Sequence, residues 1–171
     1  MSIDKQIYNK VIKRGFTAAL GNLIAAQARF ESADYTSNVF KNNTNLFGYK
    51  YVGQPGATKG TLAPKGEWNS PNIPQYYAKY NSVEDSTNEI INWLLRRQQE
   101  GKFLIADLNT PGKYAAALKA GNYYGTSAAN YSNGLTAKLK KVDLIGDSSS
   151  NLASALPVVL LLGIAIASLK R

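Results

Sequence analysis

The chain has 171 residues, 44% of them hydrophobic, which is typical of one domain with its own core. It contains no cysteine and no histidine, which excludes disulfides, thiolate metal sites, cysteine nucleophiles and a Ser-His-Asp triad. Acid–base chemistry therefore rests on eleven carboxylates, and the net charge of +9 favours an anionic partner. Since the scattered basic residues carry no nucleic-acid-binding motif, a cell wall or a membrane face is the expected partner, not a nucleic acid.

Two helices are predicted at the N-terminus. Ser2 and Asp4 can cap the first, in which apolar residues lie four apart, and the second is expected from about residue 17 to residue 30. The segment AAQARFES places Glu31 at the end of this second helix. Negative charge at the C-terminal end of a helix opposes the helix macrodipole, which disfavours ionisation. If Glu31 is also partly buried, its pKa should rise, as a general acid requires.

The middle of the chain has a different character. Residues 46–80 are rich in glycine and proline and are flanked by the β-prone runs FGYKYV and IPQYYAKY, which predicts a small, ragged β-hairpin lobe. Helices are expected again further on. One begins at a capping-box-like Ser82, another runs from Pro111 to a closing Gly121, and a last soluble helix is marked by Tyr131, Leu135, Leu139 and Val142.

The C-terminal stretch predicts a membrane anchor. After a linker at residues 144–151, residues 152–169 carry no charge, and Lys170-Arg171 closes the chain. Eighteen residues reach the lower limit of the roughly 17 to 25 that cross a bilayer, although a buried core helix is the alternative. No secretory signal is recognised at the N-terminus. We therefore expect a soluble domain at residues 1–143, tethered to a lipid bilayer by one C-terminal span.

Four segments, in this order, resemble the endo-β-N-acetylglucosaminidases of glycoside hydrolase family 73 from bacteria and phages. They are AAQARFES, NLFG, YAKYNSVEDS and GNYYGTSAANYSNGL. The resemblance covers about residues 17–142 and implies a lysozyme-like fold, α+β but mainly α, with a cleft between the helix-end glutamate and the β-lobe. Ala33 departs from the pattern, because the family usually has glycine there, and the change costs little unless that residue must adopt positive φ.

The resemblance also implies the site. It makes Glu31 the general acid, places a second carboxylate in the β-lobe, where Glu67 is found, and brings a tyrosine into the active site. Tyr124 is the candidate for that tyrosine, with Tyr123 and Tyr131 as alternatives. The predicted substrate-binding residues are Gln27, Asn45, Phe47, Trp68, Tyr123 and Tyr131. No metal or organic cofactor is implied.

The predicted function is cleavage of the glycan strand of peptidoglycan, after N-acetylglucosamine, by a protonated acid and an ionised second carboxylate. Retention, inversion and assistance by the substrate's N-acetyl group all stay open. The alternatives are a lytic transglycosylase or muramidase on the same fold, or a non-catalytic structural membrane protein of a virion. A wall-degrading domain with a tail anchor would suit a membrane-containing bacteriophage particle, with other virion or membrane proteins as neighbours.

Overall fold

The computed structural model describes residues 1–67 and 72–142, which form six α-helices and one two-stranded sheet. In chain order the elements are α1 (Ile3–Lys13), α2 (Ala18–Glu31), α3 (Asn38–Asn43), β1 (Ala57–Leu62), β2 (Tyr76–Tyr80), α4 (Val83–Gln99), α5 (Pro111–Ala120) and α6 (Ala128–Leu139). Short 3-10 turns lie at Lys65–Glu67 and Ile105–Asp107. The predicted class, α+β and mainly α, is confirmed.

Three of the predictions concern residues outside these two ranges. The linker at 144–151, the anchor at 152–169 and Trp68 all lie outside the described residues. Within residues 1–67 and 72–142, no helix has the length and the apolar character needed to cross a bilayer.

Every helix in the described part of the chain begins after a Ser or Thr whose side chain accepts the backbone N–H three residues further on. These N-caps are Ser2, Thr17, Ser37, Ser82, Thr110 and Ser127. The predicted caps Ser2 and Ser82 are confirmed, and so is the end of the second helix at Glu31. The prediction of Asp4 as a cap is wrong, because Asp4 lies inside the first turn of α1, where its side chain is buried against Arg29.

Helix α2 is the centre of the helical body. Its residues 20–28 are all buried, and its small apolar side chains allow neighbours to pack closely on every side. Helices α1 and α6 pack against it, and α1 also packs against α4. In α6, a side chain on Gly134 would lie 2.5 Å from a ring atom of Phe30. The absence of that side chain lets α6 approach the end of α2, where Glu31 lies.

The predicted hairpin lobe is present, but its strands differ in origin. Strand β2 comes from the run IPQYYAKY, as expected, whereas β1 lies inside the glycine-containing segment. The two strands are antiparallel, pairing Ala57 with Tyr80 and Leu62 with Tyr76. The run FGYKYV contributes only one bridge, between Lys50 and Tyr77.

Asn45 explains why FGYKYV does not continue as a strand. Its Nδ2 donates to the carbonyl oxygens of Tyr49 at 2.8 Å and Ala78 at 2.9 Å. Its Oδ1 accepts the backbone N–H groups of Phe47 and Tyr49. The main chain also turns at Gly48, where φ is 68°. The segment is thereby bent around Asn45 and held beside β2, which brings Lys50 to the edge of a cleft.

Candidate active site

A cleft of about 620 Å³ lies between the helical body and the β-lobe. Glu31 lines it from the end of α2, and Glu67 lines it from the 3-10 turn that follows β1. The other lining residues are Ser37, Val39, Phe47, Gly48, Tyr49, Lys50, Tyr77, Trp93, Asn122, Tyr123 and Tyr124. The two predicted carboxylates therefore share one cleft.

Glu31 is largely removed from solvent and has one neutral hydrogen-bond donor. The hydroxyl of Tyr131 donates to its Oε1 at 2.5 Å. Burial raises the pKa of Glu31, because the charged form loses its hydration, and the hydrogen bond from Tyr131 lowers it by a smaller amount. The net effect leaves the pKa of Glu31 above that of an ordinary glutamate.

Glu67 has the opposite surroundings. Its side chain is 48% exposed, and its Oε2 accepts from Lys50 Nζ and from the Tyr77 hydroxyl, each at 2.5 Å. Lys50 Nζ also lies 3.7 Å from the centroid of the Tyr77 ring. Partial burial raises the pKa of Glu67, but the two hydrogen bonds and the charge of Lys50 outweigh it, and the pKa falls below its ordinary value. Glu67 is thus held as a carboxylate.

Tyr131, and not Tyr124, contacts Glu31 directly. Tyr124 stacks face to face on Tyr131, with ring centroids 3.9 Å apart, and its hydroxyl donates to the carbonyl of Ala115 at 2.7 Å. Tyr123 lines the cleft and donates to the carbonyl of Phe47 at 2.9 Å. Tyr124 lines the cleft as well, and its catalytic role stays a prediction.

Three of the predicted substrate-binding residues are buried and do not line the cleft: Tyr131, which instead contacts Glu31, and also Gln27 and Asn45. Gln27 is 0% exposed, and its Oε1 accepts from the hydroxyl of Tyr114 at 2.6 Å. Asn45 is 1% exposed, and its partners are the backbone groups described above. Both side chains shape the site from within the protein. Phe47 does line the cleft, as predicted.

Among the cleft residues that were not predicted as part of the site are Lys50, Tyr77 and Trp93. Lys50 contacts Glu67 from the segment that bends around Asn45. No local sequence pattern predicts that contact. Tyr77 lies in β2 between the half-buried Tyr76 and the buried Ala78. It was recognised as part of the segment YAKYNSVEDS, and that motif is the signal that could have found it. Trp93 was expected in the core. It is indeed nearly buried, but it also forms the cleft floor and packs edge-on against Tyr123.

A cleft with two carboxyl groups, one with a raised pKa and one with a lowered pKa, is the arrangement that many glycoside hydrolases use. The model of the glucosaminidase family, described as mannosyl-glycoprotein endo-beta-N-acetylglucosaminidase, matches residues 8–144. The chain therefore belongs to this family, and it is a glycoside hydrolase that cleaves peptidoglycan. No curated protein and no solved structure matches it.

Proposed function

We propose that the enzyme cleaves the glycan strand after N-acetylglucosamine, with Glu31 as the general acid and Glu67 as the second carboxylate. The observation that carries this proposal is that two carboxyl groups with opposite surroundings line one cleft. Burial against the neutral phenol of Tyr131 raises the pKa of Glu31, whereas hydrogen bonds from Lys50 and Tyr77 lower the pKa of the half-exposed Glu67. Pairs of carboxyl groups with diverging pKa values are how glycosidases divide the roles of acid and base.

The proposed reaction begins with proton transfer from Glu31 to the glycosidic oxygen as the bond to the anomeric carbon breaks. Positive charge then grows on the sugar, and the carboxylate of Glu67 stabilises it or takes a proton from the attacking water. The hydroxyl of Tyr131 stabilises the carboxylate that Glu31 becomes, since it already donates to Oε1. Lys50 and Tyr77 keep Glu67 ionised and oriented.

We propose that the aromatic residues of the cleft hold the sugar rings. Phe47, Trp93 and Tyr123 form a largely buried floor, and such rings pack well against the C–H faces of sugars. Tyr124 stands at the same floor, and we assign it to substrate contact next to the acid, since its ring covers Tyr131. The net charge of +9 favours approach to an anionic wall.

We also propose that residues 152–169 anchor the enzyme in a lipid bilayer, with a membrane-containing phage particle as one setting. The support comes from composition, because eighteen residues without charge precede a terminal Lys170-Arg171 pair.

The test of the catalytic proposal is lysis of purified cell wall by Glu31→Gln and Glu67→Gln, with mass spectrometry of the released fragments. Loss of a general acid costs roughly 100- to 10,000-fold in rate, so we expect Glu31→Gln to be nearly inactive. Glu67→Gln should also lose most activity. Glu100→Gln, which removes an exposed carboxylate paired with Arg97, is the matched control and should lyse normally.

The fragments distinguish the alternatives. Reducing N-acetylglucosamine ends that carry an added water support the proposal. Anhydro ends, lighter by one water, together with an active Glu67→Gln variant would indicate a lytic transglycosylase, and N-acetylmuramic acid ends a muramidase. Lysis by Glu31→Gln at the wild-type rate would remove Glu31 from the mechanism.

A further inference from the structure

The chain leaves Glu31 through a left-handed turn. Ala33, Asp34 and Tyr35 have φ angles of 51°, 54° and 68°, so three successive residues with side chains occupy the region that favours glycine. L-residues visit this region singly, because the Cβ comes too close to the following carbonyl oxygen. Such conformations persist where the surrounding structure holds them in place. Position 33, where the resembling family usually has glycine, is alanine in this chain. Contacts made by other residues must therefore hold the turn.

Asp4, from α1, supplies these contacts. It is 1% exposed, and its carboxylate accepts four hydrogen bonds. Arg29 donates from Nε to both oxygens at 3.0 Å and from Nη2 at 2.6 Å, and the hydroxyl of Tyr35 donates at 2.5 Å. The Arg29 guanidinium also lies 5.1 Å from the centroid of the Tyr35 ring. One buried carboxylate thus joins a residue before Glu31 to a residue after it.

Other contacts fasten the turn from outside. The Ser32 hydroxyl donates to the carbonyl of Ala28 and accepts the N–H of Tyr35. The carboxylate of Asp34 pairs with Lys138 at 2.7 Å and Lys141 at 3.1 Å. Asp4 differs from these groups because it comes from another helix, α1, and precedes residues 8–144 that the family model matches. It is fully buried and does not line the cleft.

We propose that Asp4 is a positioning residue for Glu31. Through Arg29 and Tyr35 it holds the left-handed turn, and with it the last residue of α2, where the Glu31 carboxyl group meets the Tyr131 hydroxyl. This inference rests on the proposed function, because it assigns Asp4 a role that acts through the proposed acid. The simpler alternative is that Asp4 and Arg29 only stabilise the packing of α1 on α2.

The pH dependence of the reaction distinguishes a positioning role of Asp4 from a role in helix packing alone. The groups around Glu31 are Tyr131, which donates to it, the buried Tyr114 and Tyr123, and across the cleft Glu67 with Lys50. The tyrosines stay neutral in the working pH range, because burial raises their pKa values further. If the turn relaxes, Glu31 becomes better hydrated and its pKa falls. The alkaline limb of the kcat profile, where Glu31 loses its proton, then moves to lower pH.

The experiment measures kcat, KM and the pH profile of full-length Asp4→Asn on soluble peptidoglycan fragments. Misplacement of a catalytic group by about 1 Å can cost on the order of 100-fold, so we expect kcat to fall about 10- to 100-fold. KM should not change, and the alkaline limb should shift to lower pH. The matched control is Glu84→Gln, which removes a carboxylate 54% exposed and paired with Lys10 of α1. It should behave as wild type.

A second substitution tests the route through the turn. Glycine adopts positive φ without penalty, so Ala33→Gly should restore most of the kcat lost in Asp4→Asn. A packing role for Asp4 predicts no such rescue. Tyr35→Phe keeps the ring and removes only the hydroxyl that reaches Asp4, so it should cause a smaller shift in the same direction. Tyr35→Phe tests the same contact if Asp4→Asn does not fold. Circular dichroism measures the folded fraction of each variant.

A folded Asp4→Asn variant with wild-type kcat and alkaline limb would overturn the inference. So would activity that falls only with the folded fraction, with an unmoved limb and no rescue by Ala33→Gly. Glu31→Gln distinguishes this failure from that of the proposed function. If Glu31→Gln is inactive while Asp4→Asn is normal, only the role of Asp4 is wrong, whereas an active Glu31→Gln removes both.

Discussion

At the scale of single residues, the two carboxyl groups of the cleft differ because their neighbours differ. Glu31 has a neutral phenol and little water, and Glu67 has a cation, a phenol and solvent. Desolvation therefore dominates at Glu31, whereas at Glu67 the hydrogen bonds from Lys50 and Tyr77, together with the charge of Lys50, outweigh desolvation. Activity that needs a protonated Glu31 and an ionised Glu67 follows a bell-shaped pH profile, with its alkaline limb set by Glu31 and its acid limb by Glu67.

Tyr131→Phe tests the electrostatic part of this description. The hydroxyl of Tyr131 lowers the pKa of Glu31, so its removal should raise that pKa and move the alkaline limb of kcat to higher pH. We expect the maximal rate to fall as well, because the carboxylate left after proton transfer loses its donor. Tyr51→Phe, at an exposed tyrosine of the β-lobe, is the control. An alkaline limb that stays in place or moves to lower pH in Tyr131→Phe would contradict the assignment.

At the scale of elements, local signals predicted five of the six described helices but missed the short α3 and the turns between helices. Ser and Thr caps act over three residues, so the starts at Ser2 and Ser82 could be recognised directly. The left-handed turn at Ala33 could not, because it depends on Asp4, a residue in another helix. The contact of Tyr131 with Glu31 joins residues 100 positions apart, and only the packing of α6 on α2 creates it.

Gly121 ends helix α5, as the sequence predicted, but the physical reason for glycine at this position differs from the predicted one. The sequence predicted it as the glycine that closes α5, and it is the C-cap, but its φ of −82° is open to any residue. The reason for glycine is space, since a Cβ there would lie 2.4 Å from Cη2 of the nearly buried Trp93.

Gly121→Ala should therefore destabilise the protein. The stiff indole of Trp93 has to move, and overpacking of this kind typically costs about 1–3 kcal/mol in the free energy of unfolding. Because Trp93 forms the cleft floor, substrate binding should weaken too. Urea unfolding and KM measure the two effects. Gly125→Ala, where nothing lies within 4 Å of the added Cβ, is the matched control. Equal free energies of unfolding for Gly121→Ala and Gly125→Ala would contradict this prediction, because they would mean that Trp93 can move aside without destabilising the protein.

At the scale of the whole molecule, the catalytic body and the C-terminal segment have separate roles in our proposal. The family match ends at residue 144, which is the first residue of the proposed linker at 144–151, and the proposed anchor follows at 152–169. Within the described part of the chain, the residues that line the cleft all belong to the body. Catalysis and attachment should then be separable.

A chain that ends at residue 143 tests this separation. We expect it to lyse purified wall at a rate close to that of the full chain, and to stay in solution when mixed with phosphatidylcholine vesicles. The full chain should float with the vesicles. Neutral lipid is required, because a net charge of +9 would attract the body to anionic vesicles without any anchor. Flotation of both chains, or of neither, would count against an anchor at residues 152–169.

The divergence of the two pKa values underlies the whole proposal, and titration of the side-chain carboxyl ¹³C resonances by NMR measures it directly. Glu31→Gln and Glu67→Gln assign the two signals. We expect Glu31 to titrate above the ordinary glutamate value of about 4.3, and Glu67 below it. A Glu31 that titrates at or below Glu67 would contradict the assignment of acid and second carboxylate.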